Sequence, residues 1–144
     1  MKKLSPNSHI RVLSPSDSIA RLGGFEANLS AKETLENTRI SCVIFRTLFR
    51  IWYALFFFNQ EPCCWFACCF CWWLCWCYSG YVGGFNSNEL LPYIDYDLIA
   101  KHPKIICGYS DSTAFLNAIF AKTGNLTYMG PSYSSLKMKE GQDY

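Results

Sequence analysis

Length, composition and charge place the chain among ordinary single-domain proteins. It has 144 residues, of which 51% are hydrophobic and 17% charged, with a formal net charge of +2 and a pI of about 8.1. A chain of this length can bury a core. Its 17% aromatic content excludes a disordered protein, and its charge is too small for a typical nucleic-acid-binding domain, whose pI usually exceeds about 9.

The amino-terminal part of the chain predicts a strand followed by a helix. Ile10–Leu13 is a short run of strand-forming residues that ends in the turn cluster Ser14–Ser18. The stretch Phe25–Leu35 has helix-forming composition, with Ser30 as a candidate N-cap and Glu33 three residues later. This order is typical of the start of an α/β domain.

The carboxy-terminal stretch 83–144 also alternates helices and strands. Four elements are predicted in chain order: a helix over Glu89–Ala100 that Pro92 interrupts, a buried strand over Lys104–Cys107, a helix over Asp111–Lys122 and a strand over Leu126–Met129. Gly124 suits the C′ position of the second helix. The alternation predicts a parallel sheet with crossover helices.

The middle segment 37–82 differs abruptly from both flanks. Eight of the nine cysteines lie between Cys42 and Cys77, all five tryptophans lie in the same stretch, and Glu61 is the single charged residue within 51–80. The composition therefore divides the chain into 1–36, 37–82 and 83–144.

The main chemical motif is the corner Gly108–Asp111, where a predicted strand ends and a predicted helix begins. A serine at such a corner projects its hydroxyl at the carboxyl edge of the sheet, as in a nucleophile elbow. The N–H groups that open the helix can stabilise an oxyanion. The fifth position of the hydrolase elbow pattern is Ser112 rather than Gly, so the motif alone also permits Ser110 or Asp111 to act only as a helix cap.

Two longer runs of sequence indicate a family. They are RVLSPSDSIARLGGFEANLSAKETLE near the amino terminus and GGFNSNELLPYIDYDLIAKHPKIICGYSDSTAFLNAIFAKTGNLTYMGPSYSS after the middle segment. Over residues 10–36 and 83–144 the chain resembles the LD-carboxypeptidase family of serine peptidases. That family includes muramoyl-tetrapeptide carboxypeptidases and microcin C self-immunity proteins, and the amino-terminal run is most similar to the immunity branch.

The resemblance implies a fold and a reaction. The fold would be the flavodoxin/Rossmann-like parallel-sheet domain at the amino terminus of an LD-carboxypeptidase, and the reaction would be amide hydrolysis through an acyl-enzyme on Ser110. The backbone N–H groups of Gly84 and Asp111 would form the oxyanion hole, and no metal or organic cofactor is implied. The substrate would be a cell-wall peptide ending in D-Ala or a peptidyl-nucleotide. The resemblance also permits the full-length parent protein to be a homodimer.

The same resemblance implies that catalytic groups are missing from these 144 residues. Family members are about twice this length, and their catalytic Glu and His come from a carboxy-terminal domain. The histidines here are His9, in the leading tail, and His102, in the turn before the strand that precedes Ser110. Because a serine hydroxyl needs a positioned base, we expect the chain alone to have no peptidase activity.

For the middle segment we favour a shifted reading frame. Reading the codons of Cys63–Cys71 one base later permits V-A-(D or G)-L-H-A-A-F-A, a sequence of the kind the family has there. Each Trp encoded by TGA would become Asp in that frame. We therefore expect 37–82 to be out-of-frame translation with poor solubility, a disordered or arbitrary conformation and an incomplete core around it.

Three other interpretations stay open. Residues 63–82 are uncharged and about long enough for a transmembrane helix, which needs roughly 20 apolar residues. If they form one, the protein is a small membrane-anchored protein without catalysis. The cysteine cluster could bind metal, although it lacks paired CxxC spacing. A pseudogene product would have no function.

The basic Met1–Lys3 start is followed by polar residues instead of the apolar h-region of a signal peptide, which favours the cytoplasm.

Overall fold

The computed structural model describes residues 8–13, 24, 26–44, 75–80 and 84–137. Within these residues five strands are present: β1 (His9–Leu13), β2 (Ser41–Ile44), β3 (Cys75–Gly80), β4 (Ile105–Gly108) and β5 (Thr127–Met129). The α-helices are α1 (Leu29–Asn37), α2 (Tyr96–Lys101) and α3 (Thr113–Thr123). Short 3₁₀ helices cover Glu26–Asn28, Ser87–Tyr93, Ser110–Ser112 and Tyr133–Lys137.

The strands form one parallel sheet in the order β2-β1-β3-β4-β5. This is the flavodoxin-like doubly wound order, so the predicted fold class is confirmed. Because all strands run the same way, their carboxyl ends meet at one edge, where doubly wound proteins bind their ligands. The loops that follow β3, β4 and β5 therefore start side by side.

Both faces of the sheet are covered, as a parallel sheet requires. One face packs α2 and α3 against β4 in a cluster of buried side chains: Ile94, Ile99, Ile106, Phe115, Leu116 and Ile119. The other face packs α1 and the Tyr133–Lys137 turn against the amino-terminal strands through Val12, Ala31, Cys42 and Tyr133. Val12 belongs to the second cluster and the next residue, Leu13, packs against the first. Successive strand residues point to opposite sides of a sheet, so the two clusters lie on opposite faces.

The predicted amino-terminal strand is confirmed, but the predicted start of the first helix is wrong. The helix begins at Leu29 instead of Phe25, and its N-cap is Asn28 instead of Ser30. Ser30 lies inside the helix, where its carbonyl oxygen accepts a hydrogen bond from Thr34 Oγ1 at 2.9 Å. Asn28 is fully buried and donates from Nδ2 to the carbonyl oxygen of Gly24 at 2.7 Å.

Proline divides the helix predicted over Glu89–Ala100 into two elements. Pro92 lies within the 3₁₀ helix, Ile94 is extended with φ −73° and ψ 125°, and α2 starts two residues later. The carboxylate of Asp95 caps α2 by accepting from the N–H of Leu98 at 2.9 Å. At the end of α3, Gly124 has φ 72° and its N–H donates to the carbonyl oxygen of Phe120, as predicted for a C′ residue.

The expectation that 37–82 has an arbitrary conformation is wrong for two parts of it. Ser41–Ile44 is β2, and Cys75–Gly80 is β3, which pairs with both β1 and β4. The pairing uses backbone N–H and C=O groups, which are the same for every residue type except proline, and the composition of both segments suits strands. Residues 45–74 lie outside the described part of the chain.

The same strand bears on the proposed membrane span over 63–82. Six of its residues form the middle strand of the sheet instead of a helix. Among the residues that the structure describes, no helix is long and apolar enough to cross a bilayer.

Candidate active site

Ser110 lies at the sharp corner between β4 and α3. Tyr109 is still extended, with φ −139° and ψ 158°, whereas Ser110 has φ 58° and opens the 3₁₀ turn that leads into α3. A left-handed φ costs a non-glycine residue about 1 kcal/mol or more, so the surrounding structure must hold this strained conformation. Ser110 is exposed, and its hydroxyl is accessible at the carboxyl edge of the sheet.

Glycine at position 108 allows this corner to be tight. A Cβ on Gly108 would lie 2.9 Å from the Cβ of Ser112 and 3.4 Å from Cδ1 of Leu116. Because Gly108 has no side chain, the 3₁₀ helix Ser110–Ser112 packs directly on the end of β4. Ser112, which replaces the second glycine of the hydrolase pattern, is fully buried at this contact.

The two residues predicted to form the oxyanion hole lie on segments that are hydrogen-bonded to each other. Asp111 follows Ser110, and its Oδ2 accepts from the N–H of Ser87 at 3.0 Å and from Ser87 Oγ at 2.6 Å. Gly84 lies three residues before Ser87, a reach of at most about 11 Å. The structure thus brings Asp111 together with the loop that contains Gly84.

Neither histidine lies near Ser110 in the sheet. His9 is the first residue of β1, not part of a leading tail, and pairs with the first residues of β2 and β3. His102 ends α2 just before β4. Both are at the amino edge, and a four-residue strand separates the two edges by about 13 Å. Among the described residues, no histidine is therefore placed as a base for Ser110.

The other nucleophile close to this edge is the thiol of Cys107. Burial raises the pKa of Cys107 above its ordinary value, and a protonated thiol is a weak nucleophile. Its Sγ would lie 2.8 Å from a Cβ on Gly130, the residue after β5. Cys107 therefore serves as a packing residue between neighbouring strand ends. Among the described residues, no group of three His, Cys, Asp or Glu side chains could hold a metal ion.

Sequence reasoning missed two features of the site. The first is Ser87, whose partner Asp111 is 24 residues away and is not indicated by any local pattern. The second is a set of exposed apolar side chains at the carboxyl edge of the sheet around Ser110: Phe85 at 85%, Tyr109 at 56% and Met129 at 73% exposure. Their positions beside Gly84, Ser110 and Gly130 could have been noted from the sequence, but their exposure could not.

A protein-family model matches the part of the chain that contains this site. Residues 75–130 match the LD-carboxypeptidase N-terminal domain. The resemblance to LD-carboxypeptidases predicted from the sequence is thereby confirmed for the part of the chain that contains Ser110.

Individual relatives match the same part of the chain. YocD of Bacillus subtilis strain 168, which is named as a carboxypeptidase, is 62% identical over 63 residues, or 44% of this chain and 19% of YocD. The microcin C7 self-immunity protein MccF of Escherichia coli is 57% identical over 56 residues, or 39% of this chain and 16% of MccF. The chain thus matches less than a fifth of the length of these curated relatives.

Solved structures share the fold of the described residues. An MccF-like protein from Bacillus anthracis str. Ames superposes with a TM-score of 0.85 and 35% identity, covering 96% of this chain and 42% of that protein. MccF itself, in complex with aspartyl sulfamoyl adenosine, superposes with a TM-score of 0.79 and 30% identity, covering 92% of this chain and 39% of MccF.

Proposed function

We propose that this chain contains the nucleophile-bearing half of an LD-carboxypeptidase-type serine hydrolase, with Ser110 as the nucleophile. The observation that supports this most directly is the left-handed φ of 58° at Ser110, in the strand-to-helix corner of the family-matching region. A strained, exposed serine at such a corner is the geometry of a nucleophile elbow. A serine that served only as a cap would have no need of this conformation.

The reaction would be amide hydrolysis in two steps. Ser110 Oγ attacks the carbonyl carbon and loses its proton to a base, while the carbonyl oxygen becomes an oxyanion near the N–H groups of Gly84 and Asp111. The C–N bond then breaks and the amine leaves with that proton. Water attacks the resulting ester, which releases the carboxylic acid and restores the hydroxyl.

The described residues supply the nucleophile and the oxyanion donors of this scheme, but not the base. His9 and His102 are at the opposite edge of the sheet. A nucleophile without a base loses most of the catalytic effect, since residues that act as a unit depend on one another. We therefore infer that these 144 residues alone have no measurable peptidase turnover.

For the substrate we propose two related classes, a peptidyl-nucleotide and a cell-wall peptide ending in D-Ala. The first is supported by the similarity to MccF, which has been solved with aspartyl sulfamoyl adenosine and with glutamyl sulfamoyl guanosine. The second is supported by a 47% identical Bacillus subtilis relative named as a murein peptide carboxypeptidase. Both contain an amide or acyl carbonyl that a serine nucleophile can attack.

Covalent labelling tests the assignment of the nucleophile in the chain as it is. Without a positioned base the attack of a serine on a fluorophosphonate reagent is slow, so the reagent is used in excess over a long incubation, in which the oxyanion donors still favour Ser110 over other serines. In the labelling step Ser110 Oγ bonds to phosphorus, the P–F bond breaks, fluoride leaves and the hydroxyl proton passes to water. Peptide mass mapping should find the adduct on Ser110 and none in Ser110→Ala. A wild-type chain that is folded but unlabelled, or labelled equally at another serine, would contradict the proposal.

Turnover is tested in a chimera. Residues 75–130 replace the matching stretch of YocD, which then supplies the remaining groups of the enzyme. We expect the chimera to cleave a muramoyl tetrapeptide ending in D-Ala or aspartyl sulfamoyl adenosine. Activity that survives Ser110→Ala in this chimera would exclude Ser110 as the nucleophile.

A further inference from the structure

The side chain of Asp111 makes a contact that the proposed chemistry does not use. Its Oδ2 accepts two hydrogen bonds from one residue, from the N–H of Ser87 at 3.0 Å and from its Oγ at 2.6 Å. The shorter distance is typical of a hydroxyl donating to a charged carboxylate. Ser87 is fully buried and Asp111 is half-buried, so competing water reaches this contact from one side only.

The contact replaces a cap that the local sequence does not provide. Ser87 is the first residue of the 3₁₀ helix Ser87–Tyr93, and Asn86 at its N-cap makes no side-chain cap hydrogen bond. The first N–H groups of a helix lack acceptors within the helix. Asp111 supplies one from another loop, and it therefore joins two segments of the chain as well as capping a helix.

We propose that Asp111 and Ser87 form a positioning pair for the oxyanion hole. This inference rests on the proposed function, because it concerns the same site. The backbone N–H of Asp111 is one of the two donors, and its carboxylate holds the loop that presents the other donor, Gly84. A single residue thus fixes both donors relative to Ser110.

The surroundings of Gly84 explain why such a pair is needed. Phe85, the next residue, is 85% exposed, so its side chain packs on little that could hold the loop. Within the part of the chain that the structure describes, Ser87 is the first buried residue after Gly84. Oxyanion donors are effective only when they are held in place before the reaction. The two hydrogen bonds from Ser87 to Asp111 attach the loop of Gly84 to the residue that follows Ser110.

The test measures how fast the fluorophosphonate reagent labels Ser110 in the full 144-residue chain, as a function of reagent concentration. Asp111→Ala removes both hydrogen bonds, Ser87→Ala removes only the hydroxyl donor, and Asp111→Asn keeps an acceptor oxygen. We expect the maximal rate to fall about tenfold in Asp111→Ala. This loss is smaller than the roughly hundredfold loss that removing an oxyanion donor causes, because the donor is displaced and not removed. Asp111→Asn and Ser87→Ala should retain intermediate rates, and half-saturating concentrations should not change.

Asp95→Ala is the matched control. Asp95 also caps a helix, by accepting from the N–H of Leu98 at 2.9 Å, but α2 leads to the amino edge of the sheet. It should lower the thermal midpoint as a lost cap does and leave the maximal labelling rate unchanged. If Asp111→Ala behaves in the same way as Asp95→Ala, Asp111 is only a cap and the inference is overturned.

Amide hydrogen exchange separates failure of this inference from failure of the proposed function. An unlabelled wild-type chain would contradict the nucleophile assignment. The positioning pair would still predict faster exchange of the amides at 84–87 in Asp111→Asn and Ser87→Ala than in wild type, with unchanged exchange in α3. Unchanged exchange at 84–87 would overturn the pair, whatever the labelling shows.

Discussion

Gly108 and Ser112, two residues before and two after Ser110, are in direct contact across the corner between β4 and α3. A Cβ on Gly108 would lie 2.9 Å from the Cβ of Ser112, and that atom belongs to a side chain with 0% exposure. A Cβ is fixed to the backbone, so the clash could be relieved only by a backbone shift. The geometry of the corner therefore depends on the absence of a side chain at position 108.

Gly108→Ala is therefore expected to destabilise the fold and to disturb Ser110. Overpacking of this kind costs about 1–3 kcal/mol, and the rate of Ser110 labelling should fall as the corner opens. Gly124→Ala is the control, since Gly124 has φ 72° but open space around it. It should lower stability by about 1 kcal/mol and leave labelling unchanged. Equal labelling in both variants would show that the Gly108 contact does not shape the corner.

Replacing Ser110 by glycine should stabilise the protein. The φ of 58° is unfavourable for serine and accessible to glycine, so Ser110→Gly should raise the free energy of unfolding by up to about 1 kcal/mol. Ser110→Ala keeps the backbone cost and should not gain stability. Chemical denaturation of the three proteins measures this, and a Ser110→Gly variant no more stable than Ser110→Ala would argue against strain at the corner.

The thiol of Cys42 should make stability fall at high pH. Burial raises the pKa of Cys42 from 9.0 to about 11, although a hydrogen bond with Tyr133 acts in the opposite direction. Above pH 9 the unfolded chain loses this proton first, so stability decreases as the pH rises towards 11, by about 2 kcal/mol. Below pH 9 the thiol is protonated in both states and has no effect.

The measurement is the free energy of unfolding against pH for wild type and Cys42→Ala. The other cysteines titrate in both proteins, so the difference between the two curves isolates Cys42. The difference should be constant up to pH 9 and then shrink. If the difference stays constant through pH 11, the thiol of Cys42 is not buried in the cluster with Ala31 and Tyr133.

Gly130 and Cys107 should show a coupled effect on stability. Because the Sγ of Cys107 would be 2.8 Å from a Cβ on Gly130, Gly130→Ala forces the thiol to rotate or the strand ends to separate, at about 1 kcal/mol or more. In a Cys107→Ala background the same change should cost less, because the sulfur is absent. A double-mutant cycle measures the difference, and purely additive effects would contradict the contact.

Much of the fold was predictable because its elements are marked locally. The apolar runs at β1 and β4, the spacing of Phe115 and Ile119 on α3 and the position of Gly124 are all local signals, and the structure confirms them. The start of α1 was mispredicted because Ser30 and Glu33 imitate a capping box. The N-cap is Asn28, whose buried side chain makes no cap hydrogen bond and instead donates to the carbonyl oxygen of Gly24.

The features that could not be predicted depend on distant parts of the chain. The composition of 75–80 suits a strand but does not indicate that this strand is central, since its place is decided by backbone pairing with β1 and β4. The contact between Ser87 and Asp111 likewise forms only when two loops meet at the sheet edge. The roles of Ser110, Gly84 and Asp111 in catalysis remain predictions, and so does the shifted frame of the middle segment.

The central place of β3 has a consequence for the order of folding. β1 and β4 each pair with β3 and not with each other. β3, β4 and β5 follow one another through short crossovers, so the half of the sheet with the Ser110 corner can assemble early. The pairing of β1 with β3 joins residues that are far apart in the sequence, such as Leu13 and Gly80, and long-range contacts form slowly. The serine corner is therefore expected to form before the amino-terminal strands dock.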